Sequence, residues 1–159
     1  MAKFGQASFG VTTPTQFYDV VVQPQYRLFK RSYPHAVSPS AQKSRHAILS
    51  VICTYHLYDW FHGGEKFTLS HFDQHHPGQT AVRDMFEVAR KVANGSKHFE
   101  SRIASRVGQS FSPAFSQAFA QVAYPALLIE KDDGTELHVH DLLAALMGFW
   151  EIQRATGKL

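Results

Sequence analysis

The chain has one cysteine, Cys53, among its 159 residues. No internal disulfide can form, and a thiolate metal site or redox pair has no residues to build it. Cys53 falls on the apolar part of a helical pattern, which predicts a small buried side chain rather than a nucleophile at a helix start. No apolar run approaches the roughly 20 residues that cross a bilayer, and the opening MAKFGQASFG lacks the hydrophobic segment of a signal peptide. A cytoplasmic protein without a membrane partner is expected. Walker, G-x-G-x-x-G and G-x-S-x-G motifs are missing, which removes the familiar nucleotide-binding and serine-hydrolase signatures. There is no low-complexity tract and no internal repeat.

Charge of one sign is also lacking. Sixteen Lys and Arg against 13 Asp and Glu leave a net +3 with a pI of about 9.1. That is compatible with an acidic partner such as RNA, but the basic residues are scattered, and a nucleic-acid footprint would need them gathered on one face. An apolar content of 44% and a length fit for one core predict a single domain over residues 1–159, with 1–13 as a loose arm. Ten histidines are unusual and make the charge sensitive to mildly acidic pH.

The longest helical pattern, residues 41–62, organises the rest. Ile48, Ile52 and Tyr55 form one ridge, with Leu49, Cys53, His56 and Trp60 beside it, giving one broad apolar face. Ser38 and Pro39 mark its start, and Gly63-Gly64 its end. Before it, Thr13-Pro14 opens a helix to about Arg31 that Pro24 must bend or split. After it, residues 65–78 lack a clean period and read as a loop with at most a short helical turn. A third helix begins near Thr80 with Val82, Met85, Phe86, Ala89, Val92 and Ala93 as its stripe, and Asn94-Gly95 is an alternative end. A short helix after Pro113 is left open. VAYPALLIE-KDDGTE-LHVH is a hairpin whose Pro125 suggests an edge strand. Asp141 is then the expected N-cap of a last helix with ridges Leu142, Leu146, Phe149 and Leu143, Met147, Trp150. These elements predict a mainly α protein, an up-and-down four-helix bundle with a β-hairpin inserted before the last helix.

Two polar constellations stand out. Asp59 sits in the last turn of its helix, where the dipole repels an acid, so His56 one turn back or a base from another helix is needed to compensate it. His56-x-x-Asp59-x-x-His62 has a metal-like spacing, yet His62 lies about 120° round the helix from His56. A metal site would need further ligands from His98 or from His71, Asp73, His75 and His76 in the HFDQHH stretch; loop histidines plus a helix-end ion pair are the simpler reading, so no metal or cofactor is assigned. The paired Glu and Glu-x-x-His ligands of a di-iron bundle are not present. The second constellation is Arg90, Asn94 and His98, which can act as phosphate clamp, orienting group and general base in metal-independent RNA cleavage, or can be a solvated stripe.

The segments YHLYDW at 55–60, VANGSKH at 92–98 and Asp133-Gly134 leading to Phe149-Trp150 resemble a family of small bacterial proteins with an HLxDW motif, an ANxxKH motif and a DG-turn strand pair before a final tryptophan-bearing helix. The resemblance covers residues 41–155 and implies architecture, since the family brings no established activity. A weaker resemblance is to HEPN (higher eukaryotes and prokaryotes nucleotide-binding) bundles, which include toxin ribonucleases. Their motif spaces arginine and histidine by four to six residues; here Arg90 and His98 are separated by seven, and Ala93 precedes Asn94. The expected function is therefore a bacterial accessory protein binding a protein or small ligand in a groove near His56, Asp59, Asn94 and His98. The alternatives are a HEPN-like ribonuclease and a metal-dependent enzyme, so enzymatic activity stays open. A homodimer through the hairpin edge or an apolar helix face is a further partner the pattern allows.

Overall fold

The first helix starts where Thr13 accepts the backbone N–H of Gln16 at 3.2 Å while the Gln16 side chain reaches back to the Thr13 N–H, a reciprocal cap with Pro14 in the first position. These are details of a computed structural model that describes residues 10–32, 41–98, 107–108 and 126–159. α1, Pro14–Phe17, runs directly into a π-helical turn, Tyr18–Val22, and then α2, Gln23–Ser32. Pro24 explains the irregularity. It has no N–H for the preceding turn, and the chain widens just before it, with Gln23 N–H donating to Tyr18 O five residues back.

α3, Ala41–Phe61, is closed by the expected glycines: Gly63 and Gly64 have φ of 67° and 95°, and Gly64 N–H donates to Asp59 O at 2.6 Å, Gly63 N–H to Trp60 O at 3.3 Å. Its buried face differs from the expected one. Ile48 and Leu49 are 43% and 36% exposed, while Ala47, Ser50, Val51, Thr54, Leu57 and Tyr58 are buried. Ser50 and Thr54 can be buried because their hydroxyls donate to Gln25 O at 3.1 Å and Ser50 O at 2.6 Å, leaving no polar group stranded. Small side chains there also let neighbouring helices approach, and α3 packs on α2, α5 and α6. The ends that the sequence marks with Ser38 and Pro39, and the helix left open after Pro113, lie outside the described residues.

Residues 65–78 hold more structure than a loop: α4, Leu69–His75, is capped by Thr68, whose hydroxyl accepts His71 N–H at 3.1 Å. α5, Thr80–His98, passes through Asn94-Gly95 without stopping, and its stripe is turned inward as expected, with Phe86, Ala89 and Ala93 fully buried.

β2, Ala126–Glu130, and β3, Glu136–His138, form the antiparallel hairpin, with Ile129 opposite Leu137 and Gly134 at φ 78° in the turn. The strand expected at an edge is instead central, because the two-residue strand β1, Val107–Gly108, pairs with its other side. α6, Val139–Ala155, begins two residues before Asp141, with His138 at the cap; Asp141 stands third, where its charge still faces the positive helix end. Both expected ridges of α6 are buried.

The protein is thus mainly helical with a small antiparallel hairpin. Its core joins Tyr18, Val22 and Phe29 from the first helical stretch to Val51, Leu57 and Tyr58 of α3, Phe86 of α5, and Leu142, Leu146 and Trp150 of α6. Trp150 Nε1 donates to Thr54 O at 3.1 Å, fixing α6 on α3. No helix among the described residues is long and apolar enough to cross a membrane.

Candidate functional site

The glycine stop leaves His62 at the end of α3, and the Thr68 cap starts α4 just early enough to place His71 and His75 at i and i+4 on one face. The two elements meet there. His62, His71 and His75 each present a ligating nitrogen within 4.8 Å of the others, and their rings lie 4.2 to 5.0 Å apart by centroid. His62 and His71 are half-buried and His75 is exposed, so the cluster opens to solvent on one side.

Each ring is held by a second contact. The His75 Nδ1–H donates to the carbonyl of His71 at 2.9 Å, which leaves its Nε2 with the lone pair. The Tyr58 hydroxyl is 2.7 Å from His71 Nδ1, and Glu65 Oε2 is 2.8 Å from His71 Nε2. His76 Nε2 is 3.4 Å from His62 Nε2, and its ring packs edge-on against Phe149 at 5.0 Å. Tyr58 is fully buried among Phe67, Phe72 and Phe86, so its hydroxyl has little freedom to turn elsewhere.

Burial, then the neighbouring charges of His71, His76 and His75, push His62 down to about 4. Burial likewise lowers His76 and raises the Tyr58 phenol above its ordinary range. Neutral imidazoles are the form that binds metal. A tetrahedral zinc-class ion with bonds of about 2.0–2.1 Å holds its donors about 3.4 Å apart, so nitrogens that stand within 4.8 Å of one another have to close by at most about 1.4 Å, and the exposed His75 is the ring freest to move. The donor set fits such an ion.

The residues singled out from the sequence lie on α3 and α5. His56 Nδ1 is 3.3 Å from Asp59 Oδ2, so the acid is compensated by its own helix. Asp59 Oδ1 is buried and, among the described residues, has no hydrogen-bond partner. Arg90 makes two hydrogen bonds to Glu87, at 2.6 and 2.8 Å, and Asn94 is exposed. His98 closes α5, but its side chain, and with it the distance to Asp59, lies outside the described residues. Tyr55 stands between the two groups: burial and the Asp59 charge raise its phenol, and Arg90 opposes them. Asp73 turns away from the histidines to meet Arg83 at 2.9 Å.

Sequence pattern hides the histidine centre as a unit, because residues 65–78 have no clean period and read as loop. The signal was present as a Thr cap followed by His-x-x-x-His. Comparison of the chain with protein families, curated proteins and solved structures gives no match.

Proposed function

We propose that this chain is a metal-binding helical protein in which His62, His71 and His75 hold a zinc-class divalent ion. The observation that carries the reading is the convergence of their three nitrogens within 4.8 Å, on rings whose other nitrogens are partly committed to Tyr58 and to a backbone carbonyl. The fold that supports the centre is read as the up-and-down four-helix bundle with an inserted hairpin, supported by contacts of α3 with α2, α5 and α6 and of α5 with α6.

Zinc binding is tested by calorimetric titration and thermal unfolding of the full chain. One ion per chain is expected. At a free ion concentration 100 times Kd the folded state gains about 2.7 kcal/mol, a rise in Tm of roughly 5–10 °C for a chain of this size. His75→Ala removes a mostly exposed ring and abolishes the rise without lowering the metal-free Tm. No uptake of zinc, cobalt, nickel or manganese and an unmoved Tm sink the reading.

A second reading, a partner or small ligand bound beside His56 and Asp59, is favoured by the buried Asp59 Oδ1, which an incoming donor would satisfy. The ribonuclease alternative needs Arg90 as a phosphate clamp, and the two Glu87 hydrogen bonds oppose it.

A further inference from the structure

Three histidines leave a tetrahedral ion one position short. Two further donors each touch one member of the cluster, Glu65 at His71 and His76 at His62. The Glu65 backbone N–H donates to the carbonyl of His62 at 3.3 Å, and the reversal at Gly63 and Gly64 turns the chain back so that its carboxylate reaches His71 Nε2 at 2.8 Å. That contact sets the Glu65 oxygen beside His71 alone, outside the cluster of three nitrogens that lie within 4.8 Å of one another, so its side chain has to swing inward to reach the ion. Glu65 is free to adjust, since its side chain is 69% exposed and His71 is its only ion-pair partner among the described residues. His76 is the rival. It is buried, packed on Phe72 and Phe149, and meets His62 nitrogen to nitrogen at 3.4 Å, the place of a group that orients a ligand rather than of a ligand.

We propose that Glu65 is the fourth ligand, so that the ion is enclosed by three imidazoles and one carboxylate drawn from the single stretch 62–75. This rests on the metal reading above. In the metal-free chain the carboxylate accepts from His71 Nε2–H; on binding, Nε2 gives up that proton, the ring takes the Nδ1–H tautomer that donates to the Tyr58 hydroxyl, and the freed Nε2 lone pair and the carboxylate both turn to the ion. A full set of protein ligands leaves no position for a reacting water, so the ion serves to pin α4 to the end of α3.

Cobalt(II) is the probe, because its visible absorption reports four-coordinate geometry, and the variants are Glu65→Ala and Glu65→Gln with His62→Ala as control. The expected result is one cobalt per wild-type chain with an intense four-coordinate band. Glu65→Ala and Glu65→Gln then bind about ten-fold or more weakly with an altered band, and His62→Ala binds none. Unchanged or tighter binding in both Glu65 variants, or weaker binding with an unaltered band, which marks a group that only orients His71, overturns the assignment and leaves the three-histidine centre standing. Failure of the wild-type chain to bind cobalt or zinc overturns both. Because Glu65 is exposed, loss of folding does not confuse the outcome.

Discussion

The hydroxyl of Tyr58 stands 2.7 Å from Nδ1 of His71, and through that contact the aromatic core sets the orientation of a half-buried histidine. Tyr58 is fully buried, with Phe67 and Phe86 edge-on to its ring at 5.3 and 5.4 Å and Phe72 stacked at 6.1 Å. Packing holds the ring, the ring holds the hydroxyl, and the hydroxyl occupies Nδ1 of His71, leaving Nε2 to face Glu65. Burial raises the Tyr58 phenol, so it stays protonated and remains a neutral partner for the imidazole.

Tyr58→Phe tests this positioning. The substitution keeps the ring and its packing and removes one oxygen. Zinc affinity is expected to fall by about 10–100-fold, the usual cost of losing a group that orients a ligand. Thermal unfolding of the metal-free chain should move little, because His71 keeps its contact with Glu65 through Nε2. Equal affinity in the two proteins shows that the hydroxyl does not position His71.

The parts of this molecule that sequence patterns reveal are those where chemistry and periodicity agree. The ridges of α6 and the stripe of α5 are apolar residues at helical spacing; the first are buried, and the second packs on the core with Phe86, Ala89 and Ala93 fully buried and Val82, Met85 and Val92 partly so. On α3 the agreement fails, since apolar residues occur nearly all round and the helix chooses its inner face by fit. Ser50 and Thr54 enter the core because backbone carbonyls accept their hydroxyls, a condition invisible without the neighbouring helix. α4 has seven residues, too few to display a period, and so His71 and His75 pass for scattered loop histidines. Asp59 was legible as a conflict with its helix dipole, and His56 resolves it from within the same helix.

Acid stability follows from Glu87 and Arg90. The hydrogen bonds from Arg90 hold the Glu87 carboxyl below its ordinary range. A carboxylate whose folded pKa is depressed stabilises the fold above its unfolded value, about 4.3, and that contribution is lost as pH falls through the lower folded value. Both side chains are partly exposed, at 24% and 36%, which limits the effect to about 0.5–1 kcal/mol. Denaturant unfolding of wild type and Glu87→Gln should therefore differ by that amount at pH 7 and converge near pH 3. A difference that persists undiminished in acid means that the charge on Glu87 contributes nothing.

Asp59 decides whether the end of α3 hosts a second polar site. Its charge opposes the negative end of the helix, a cost of about 0.3–1 kcal/mol, and its only hydrogen-bond partner among the described residues is His56 at 3.3 Å. At 3.3 Å that contact is longer than the 2.7–2.9 Å of a strong charge-assisted hydrogen bond, so the pair returns little of that cost. Asp59→Asn removes the charge at nearly constant shape and should raise stability at pH 8 by roughly 0.5 kcal/mol, measured by urea unfolding with an unchanged slope. If Asp59→Asn instead costs more than about 1 kcal/mol at pH 8, the carboxylate is held by a donor beyond its own helix, and a polar site between α3 and its neighbours is the better description.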